Sequence, residues 1–163
     1  MSYLYFEETQ KFRQAWLWIL MIVSTLFAIL VPFLAIGKDL KLEDAVILIL
    51  VPGSVFVLFY ILSLKTRIDT EGIHYRFFPF HFREKTISWS KVEMGEVIKY
   101  NPIGDFGGWG IKYGRKGKAY NVSGNMGLYL TLKNKKRILI GTQRPEEMAE
   151  VVTSILKKVT GDM

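Results

Sequence analysis

Two long blocks without a charged residue constrain this chain more than any other feature. Ala15–Ile36 runs for 22 residues and Ala45–Leu64 for another 20 without Asp, Glu, Lys, Arg or His. At ~1.5 Å per residue, each block wound as a helix can cross a hydrocarbon core of ~30 Å. They raise the mean hydropathy to +0.18 in a chain that is 50% hydrophobic. A cleaved signal peptide does not fit. Its apolar stretch is ~7–15 residues behind a basic segment, whereas Glu7 and Glu8 precede this block and a second block follows. The expectation is two transmembrane helices.

Between the blocks lies only GKDLKLED, Gly37–Asp44, so the helices are antiparallel neighbours. Gly37 suits a C-terminal cap, and Glu43 and Asp44 suit the first turn of the next helix, whose dipole favours negative charge. Lys11 and Arg13 precede the first span, and Lys65, Arg67, Arg76, Arg83 and Lys85 follow the second. The positive-inside rule then places both termini in the cytoplasm, at an inner membrane, with Trp16 and Trp18 in the aromatic belt of that side. Ser24 and Ala28 in the first span, and Pro52, Gly53 and Ser54 in the second, lie at equal depth. Their small side chains predict the helix contact there, with Thr25 near the Leu48 carbonyl that Pro52 frees. No ionisable residue lies inside either span, which argues against an ion path. The hairpin reads as an anchor.

The boundaries that follow are an N-terminal segment 1–14, a hairpin 15–64 with spans 15–36 and 45–64, and a C-terminal domain 65–163. From Lys65 onward the chain has 18 Lys+Arg against 10 Asp+Glu, so this domain holds the excess behind the net charge of +7. TRIDT, an EG turn, IHYRFFPFHF, KTISW, EVIKY, LYLTL, a KNKK turn and RILI read as short strands of an antiparallel sheet. Pro145, Glu146 and Glu147 then open a helix. Met148, Val151, Val152, Ile155, Leu156 and Val159 form its single apolar stripe.

With about seven strands closed by a C-terminal amphipathic helix, the stretches GGWGIKYGRKGKAYNVSGNMGLYLTL and RILIGTQRPEEMAEVV resemble bacterial pleckstrin-homology-like (PH-like) domains fused to a membrane hairpin. The resemblance covers roughly Thr66 to Val159 and is most specific over Gly107 to Glu147. It implies a small antiparallel barrel that works as a binding or scaffolding module, in several cases as an oligomer, without catalytic residues. One departure concerns ligands. Inositide-binding PH domains carry a basic first hairpin loop, and the loop read here as the first, Asp69-Thr70-Glu71-Gly72, holds two acids.

Seven of the fourteen glycines fall in Gly107–Gly127. A P-loop would need a glycine at Lys112 and a hydroxyl at Ala119, and a dinucleotide fingerprint from Gly108 would need a glycine at Tyr113. Asp105-Phe106-Gly107 spells a kinase motif without its partners. Turn glycines are the simpler reading: a strand starting at Gly107 and Gly108, one hairpin closed by Gly114–Gly117 and a second by Gly124–Gly127. Cysteine is absent, and His74 and His81 are read as residues of one strand region, on opposite faces. Glu93 and Glu96 are read as solvated. No catalytic, cofactor-binding or metal-binding set is expected. The candidate contacts for an anionic ligand are Arg115, Lys116 and Lys118 in one turn and Lys135 and Lys136 in another. The expected partners are the bilayer itself, a protein partner or a second copy, and anionic lipid, but not nucleic acid, although Tyr113 and Tyr120 flank the first cluster.

Overall fold

Ala15–Ile36 forms helix α1 and Leu42–Ile61 forms helix α2 in the computed structural model, which describes residues 4–36 and 41–161, with side chains through Ala35 in α1 and through Lys158 at the C-terminus. The expected Gly37 cap and the Val159 side chain lie outside these residues. Both helices are long and apolar enough to cross a membrane, with mean hydropathies of 2.6 and 2.3. Their large side chains are exposed around the circumference, from Ile19, Leu20 and Val23 to Phe27 and Leu34. A helix that is apolar all round belongs in a core or in lipid, and no protein core covers these. Asp44 accepts from the Lys41 amide at 3.3 Å and anchors the first turn of α2.

Phe12–Leu62 is one compact unit. Its helices face each other across an apolar groove of about 270 Å³ lined by Ser24, Thr25 and Ala28 on α1 and Val51, Pro52, Val55 and Phe56 on α2. The expected small-residue contact is corrected on one side. Gly53 and Ser54 are exposed, and a methyl group added at Gly53 would touch nothing. At 100° per residue they point away from the face that Pro52 shares with Val55 and Phe56. The hydroxyls of Ser24 and Ser54 turn back to their own helices, onto the carbonyls of Met21 and Val51, and Thr25 makes no bond to Leu48 among the described residues. Trp18 donates to the Phe12 carbonyl at 3.0 Å and packs on Phe56, while Phe12 meets Phe59 edge-on.

The second unit joins residues 1–11 to 63–163. Phe6–Lys11, which the sequence left in an N-terminal segment, is strand β1. It pairs antiparallel with β2 (Ser63–Ile68), from Phe6 opposite Ile68 to Lys11 opposite Ser63. The second span therefore stops at Ile61, because Ser63 and Leu64 already belong to the sheet. β3 (Gly72–Phe78) and β4 (Lys85–Ser88) complete a four-stranded sheet in the order β1-β2-β3-β4. Alternate residues Leu64, Thr66 and Ile68 face inward, as one-sided burial requires.

A turn of 3-10 helix, Trp89–Lys91, leads to the second sheet. It contains β5 (Val92–Lys99), β6 (Gly110–Gly114), β7 (Gly117–Asn121), β8 (Met126–Leu132) and β9 (Arg137–Thr142), in the order β5-β8-β9-β7-β6. A short helix α3 (Pro102–Phe106) separates β5 from β6. The described residues thus hold nine strands rather than about seven, and β7 pairs with β9 in parallel. Two expectations about glycines change. Gly107 ends α3 in a left-handed cap at φ 75° instead of opening a strand. Gly124–Gly127 connects β7 to β8, which are not neighbours, and so closes no hairpin. Gly114–Gly117 does close the β6–β7 hairpin.

Helix α4 (Pro145–Gly161) packs on β5, β8 and β1. Met148, Val151, Val152 and Ile155 are buried, and Leu156 is half-buried. The Glu8 carboxylate locks β1 to the start of this helix. It accepts from Thr142 Oγ1 at 2.7 Å and from the Gln143 amide at 2.9 Å, while Gln10 donates to the Gly141 carbonyl at 2.7 Å. Arg144 adds a bond to the Glu7 carbonyl and lies 5.3 Å from the Phe6 ring. A buried carboxylate with this many donors is a structural clasp.

Candidate anionic-ligand surface

The two basic turns are 17 residues apart in sequence, and the parallel β7–β9 pairing brings them to the same end of one sheet. Lys118 lies opposite Ile138, so the β6–β7 turn (Arg115–Lys116) and the β8–β9 turn (Lys133–Lys136) lead into adjacent strands from the same side. Arg137 donates to the Arg115 carbonyl at 3.3 Å, and Tyr129 donates to the Lys116 carbonyl at 3.0 Å. Gly117 makes this approach possible. Its φ is 109°, and a Cβ there would stand 2.3 Å from the Arg137 carbonyl oxygen. Backbone that close cannot be relieved by a rotamer change, so only glycine fits. The glycine-rich stretch is turn and close-approach chemistry that joins two cationic loops.

The five expected contacts differ in how they are held. Arg115 and Lys136 are exposed and form no ion pair among the described residues. Lys116 meets Asp105 at 3.0 Å, where the Asn101 amide and the Lys116 ammonium hold the Asp105 carboxyl below its ordinary range. Lys135, at φ 64°, bonds both carboxylate oxygens of Glu93 at 3.0 Å. Lys118 is half-buried and lies 4.7 Å from the Tyr113 ring and 5.0 Å from that of Tyr120. Sequence reasoning missed Lys91, whose carbonyl accepts from the Lys133 amide at 2.9 Å and which therefore joins the same end. No local signal marks Lys91; it arrives through the β5–β8 ladder.

His74 and His81 do not share a strand. His74 is buried in β3, with Nδ1 2.9 Å from Thr86 Oγ1 and Nε2 3.2 Å from Asp69 Oδ1. His81 lies beyond β3 in the loop to β4. The Thr86–His74–Asp69 relay and the grouping of Asp69, Glu71 and His74 are the arrangements closest to a catalytic or metal set among the described residues. Asp69 is committed to the turn. Asp69 accepts from the Glu71 and Gly72 amides and from Arg67 at 2.7 Å, and its carbonyl accepts from the Trp89 indole. Burial opposes the charged form, but the two amides and the His74 ring outweigh it, so the Asp69 carboxyl lies below its usual range. The Arg67 guanidinium that bonds Asp69 also reaches Glu84 at 3.3 Å.

The loop Asp69–Gly72 also takes a new place in the fold. With β1 present, it joins the second strand to the third, and the connection between the first and second strands is the helical hairpin itself. Counting strands from Thr66 had missed this, because 51 residues separate Lys11 from Ser63. Compared with protein-family models, with curated proteins and with solved structures, the chain matches none of them.

Proposed function

We propose that the chain is a membrane-anchored, non-catalytic interaction module. Its two apolar helices cross the inner membrane, and a PH-like domain is presented to a protein partner or a second copy at the cytoplasmic face. The carrying observation is the β1–β2 ladder, which is paired from end to end although the hairpin is inserted between its strands. Lys11 lies opposite Ser63, so the chain leaves the sheet and returns to it at one point. The hairpin must then begin and end on the same side of the bilayer. What supports the PH-like reading is the strand arithmetic. Leaving out the β6–β7 hairpin, whose strand pairing to the rest of the sheet is β7–β9, gives four strands plus three and a closing C-terminal helix.

The test uses the absence of native cysteine. An impermeant thiol reagent applied to intact cells is expected to label Lys38→Cys, in the loop between the helices, and to spare Lys157→Cys until the membrane is opened. Labelling of Lys157→Cys without Lys38→Cys reverses the topology and removes the cytoplasmic assignment.

A second reading, recognition of anionic head groups, is favoured by the gathering of both basic turns at one end of the sheet. Each Lys or Arg near an anionic leaflet contributes ~1 kcal/mol, and the contribution fades over a Debye length of ~8–10 Å. A domain with Phe12–Leu62 replaced by a two-residue turn is expected to sediment with phosphatidylglycerol vesicles at low salt and to be released as salt rises. Charge reversal of Arg115, Lys116, Lys118, Lys135 and Lys136 is expected to abolish the binding. Equal retention by neutral vesicles, or no effect of the reversal, leaves the protein-partner reading alone.

A further inference from the structure

The loop from β3 to β4 exposes two aromatic side chains that the fold has no use for. Phe80 is 61% and Phe82 is 80% exposed. The loop is firmly built. The His81 amide donates to the Phe77 carbonyl at 2.8 Å, and the Phe77 amide donates back to His81 Nδ1 at 3.4 Å. The His81 ring turns inward onto Tyr75 and Tyr120, at 6.2 and 5.5 Å between centroids. Its neighbours on either side therefore point outward, with Phe80 6.3 Å from Phe77 and Phe82 6.4 Å from Phe78. Arg76, Arg83 and Lys85 lie within a few residues of them in sequence, exposed and without ion pairs among the described residues. The only acid of the loop, Glu84, is engaged with Arg67.

Sheet register says where this loop lies along the chain's path. Phe78 is opposite Ser63, and Ser63 is opposite Lys11. These three strand ends form one row, and two of them are the points where the chain departs for the apolar helices and returns. Ser63 is two residues past Ile61, the end of α2, so at most about 7 Å of chain separates them. One further step of about 5 Å across the ladder reaches Phe78. The head-group zone on each side of a bilayer is itself roughly 5–7 Å deep.

We propose that the β3–β4 loop inserts Phe80 and Phe82 into the head-group region of the membrane that the helices cross, with Arg76, Arg83 and Lys85 against lipid phosphates. Aromatic rings among cations are the side-chain set that the interface favours. A second copy of the chain is a poorer occupant, because a self-complementary contact would bring these unpaired cations together. The loop gives the domain a third attachment beside its two covalent ones.

The inference rests on the membrane reading, and the experiment separates the two. Full-length protein in phosphatidylcholine–phosphatidylglycerol nanodiscs carries a single cysteine with an environment-sensitive dye, at Phe80→Cys, Phe82→Cys, Thr70→Cys or Leu26→Cys. All four sites are exposed, so none depends on core packing. At Phe80→Cys and Phe82→Cys the emission is expected to shift to the blue and to be quenched by spin labels on the upper acyl chain. Thr70→Cys, in the turn at the far end of the strands, is expected to keep the emission of a dye in water. Water-like emission at both loop sites overturns the proposal. A blue shift that spin-labelled lipid does not quench also overturns it, in favour of a protein or second copy covering the loop. Absence of quenching at Leu26→Cys by deep spin labels sinks the membrane reading itself, whereas quenching there and not in the loop sinks only the insertion.

Discussion

Replacing Phe12–Leu62 by a two-residue Asn-Gly turn is expected to yield a soluble, cooperatively folded domain, whereas Ser63–Met163 alone is expected to aggregate. Lys11 and Ser63 are partners at the end of an antiparallel ladder, and a two-residue turn of this composition matches the twist of such a pair. Excision removes every exposed side chain of the two helices and cuts no strand. Omitting β1 does the opposite. Phe6 is fully buried, and truncating a buried Phe costs about 3–5 kcal/mol. Losing Glu8 leaves Thr142 Oγ1 and the Gln143 amide without their acceptor, at about 1–3 kcal/mol for each group that stays buried. The hydrogen-bonding edge of β2 is left open to pairing with another chain. Together these losses rival the 5–15 kcal/mol that holds an ordinary domain. Circular dichroism melts and gel filtration of the two proteins check this. Equal, cooperative melting of Ser63–Met163 would show that β1 is dispensable.

In the joined domain, Ile155→Ala is expected to cost about 2–5 kcal/mol. Ile155 is 1% exposed in the middle of the α4 stripe, between Val152 and the half-buried Leu156, on a helix packed against β5, β8 and β1. The side chain is fully enclosed, so a cavity penalty adds to the lost transfer energy. For a domain of this size, that corresponds to a drop in Tm of at least about 8 °C. Lys158→Ala, an exposed position on the same helix, serves as the control and is expected to melt like the parent. An Ile155→Ala protein that also melts like the parent would mean that α4 does not close the core.

The elements with the strongest local pattern were legible at once. Ala15–Ile36 is helical over the range its apolar run indicates, and Pro145 with the Met148–Leu156 stripe marks α4 correctly, because a helix is specified by residues three and four apart. The β6–β7 hairpin was legible for the same reason, since Gly114 and Gly117 bracket a two-residue turn. The helix α3 was not. Its signals are an Asn101 side chain accepting from the Gly104 amide and an Asp105 carboxylate accepting from the Asn101 amide, both within the six residues NPIGDF between EVIKY and the glycine-rich stretch, too few to show a helical period. His81 was misplaced because the alternation was carried past Pro79, where the strand has already ended at Phe78.

By itself the sequence determined that two apolar helices are joined by a short loop, that a basic, strand-rich region closes on an amphipathic helix, and that the cations cluster in turns. Each of these rests on periodicity, composition or turn chemistry, which act within a few residues. Only the tertiary structure decided that Phe6–Lys11 is the first strand, that the hairpin is an insertion into one folded unit, and that two cationic turns share one end of a sheet. Those facts depend on pairings between residues tens of positions apart. A strand such as FEETQK carries too little apolar character to announce itself, and what recruits it is burial of Phe6, Glu8 and Gln10 against a sheet that exists only once the rest has folded.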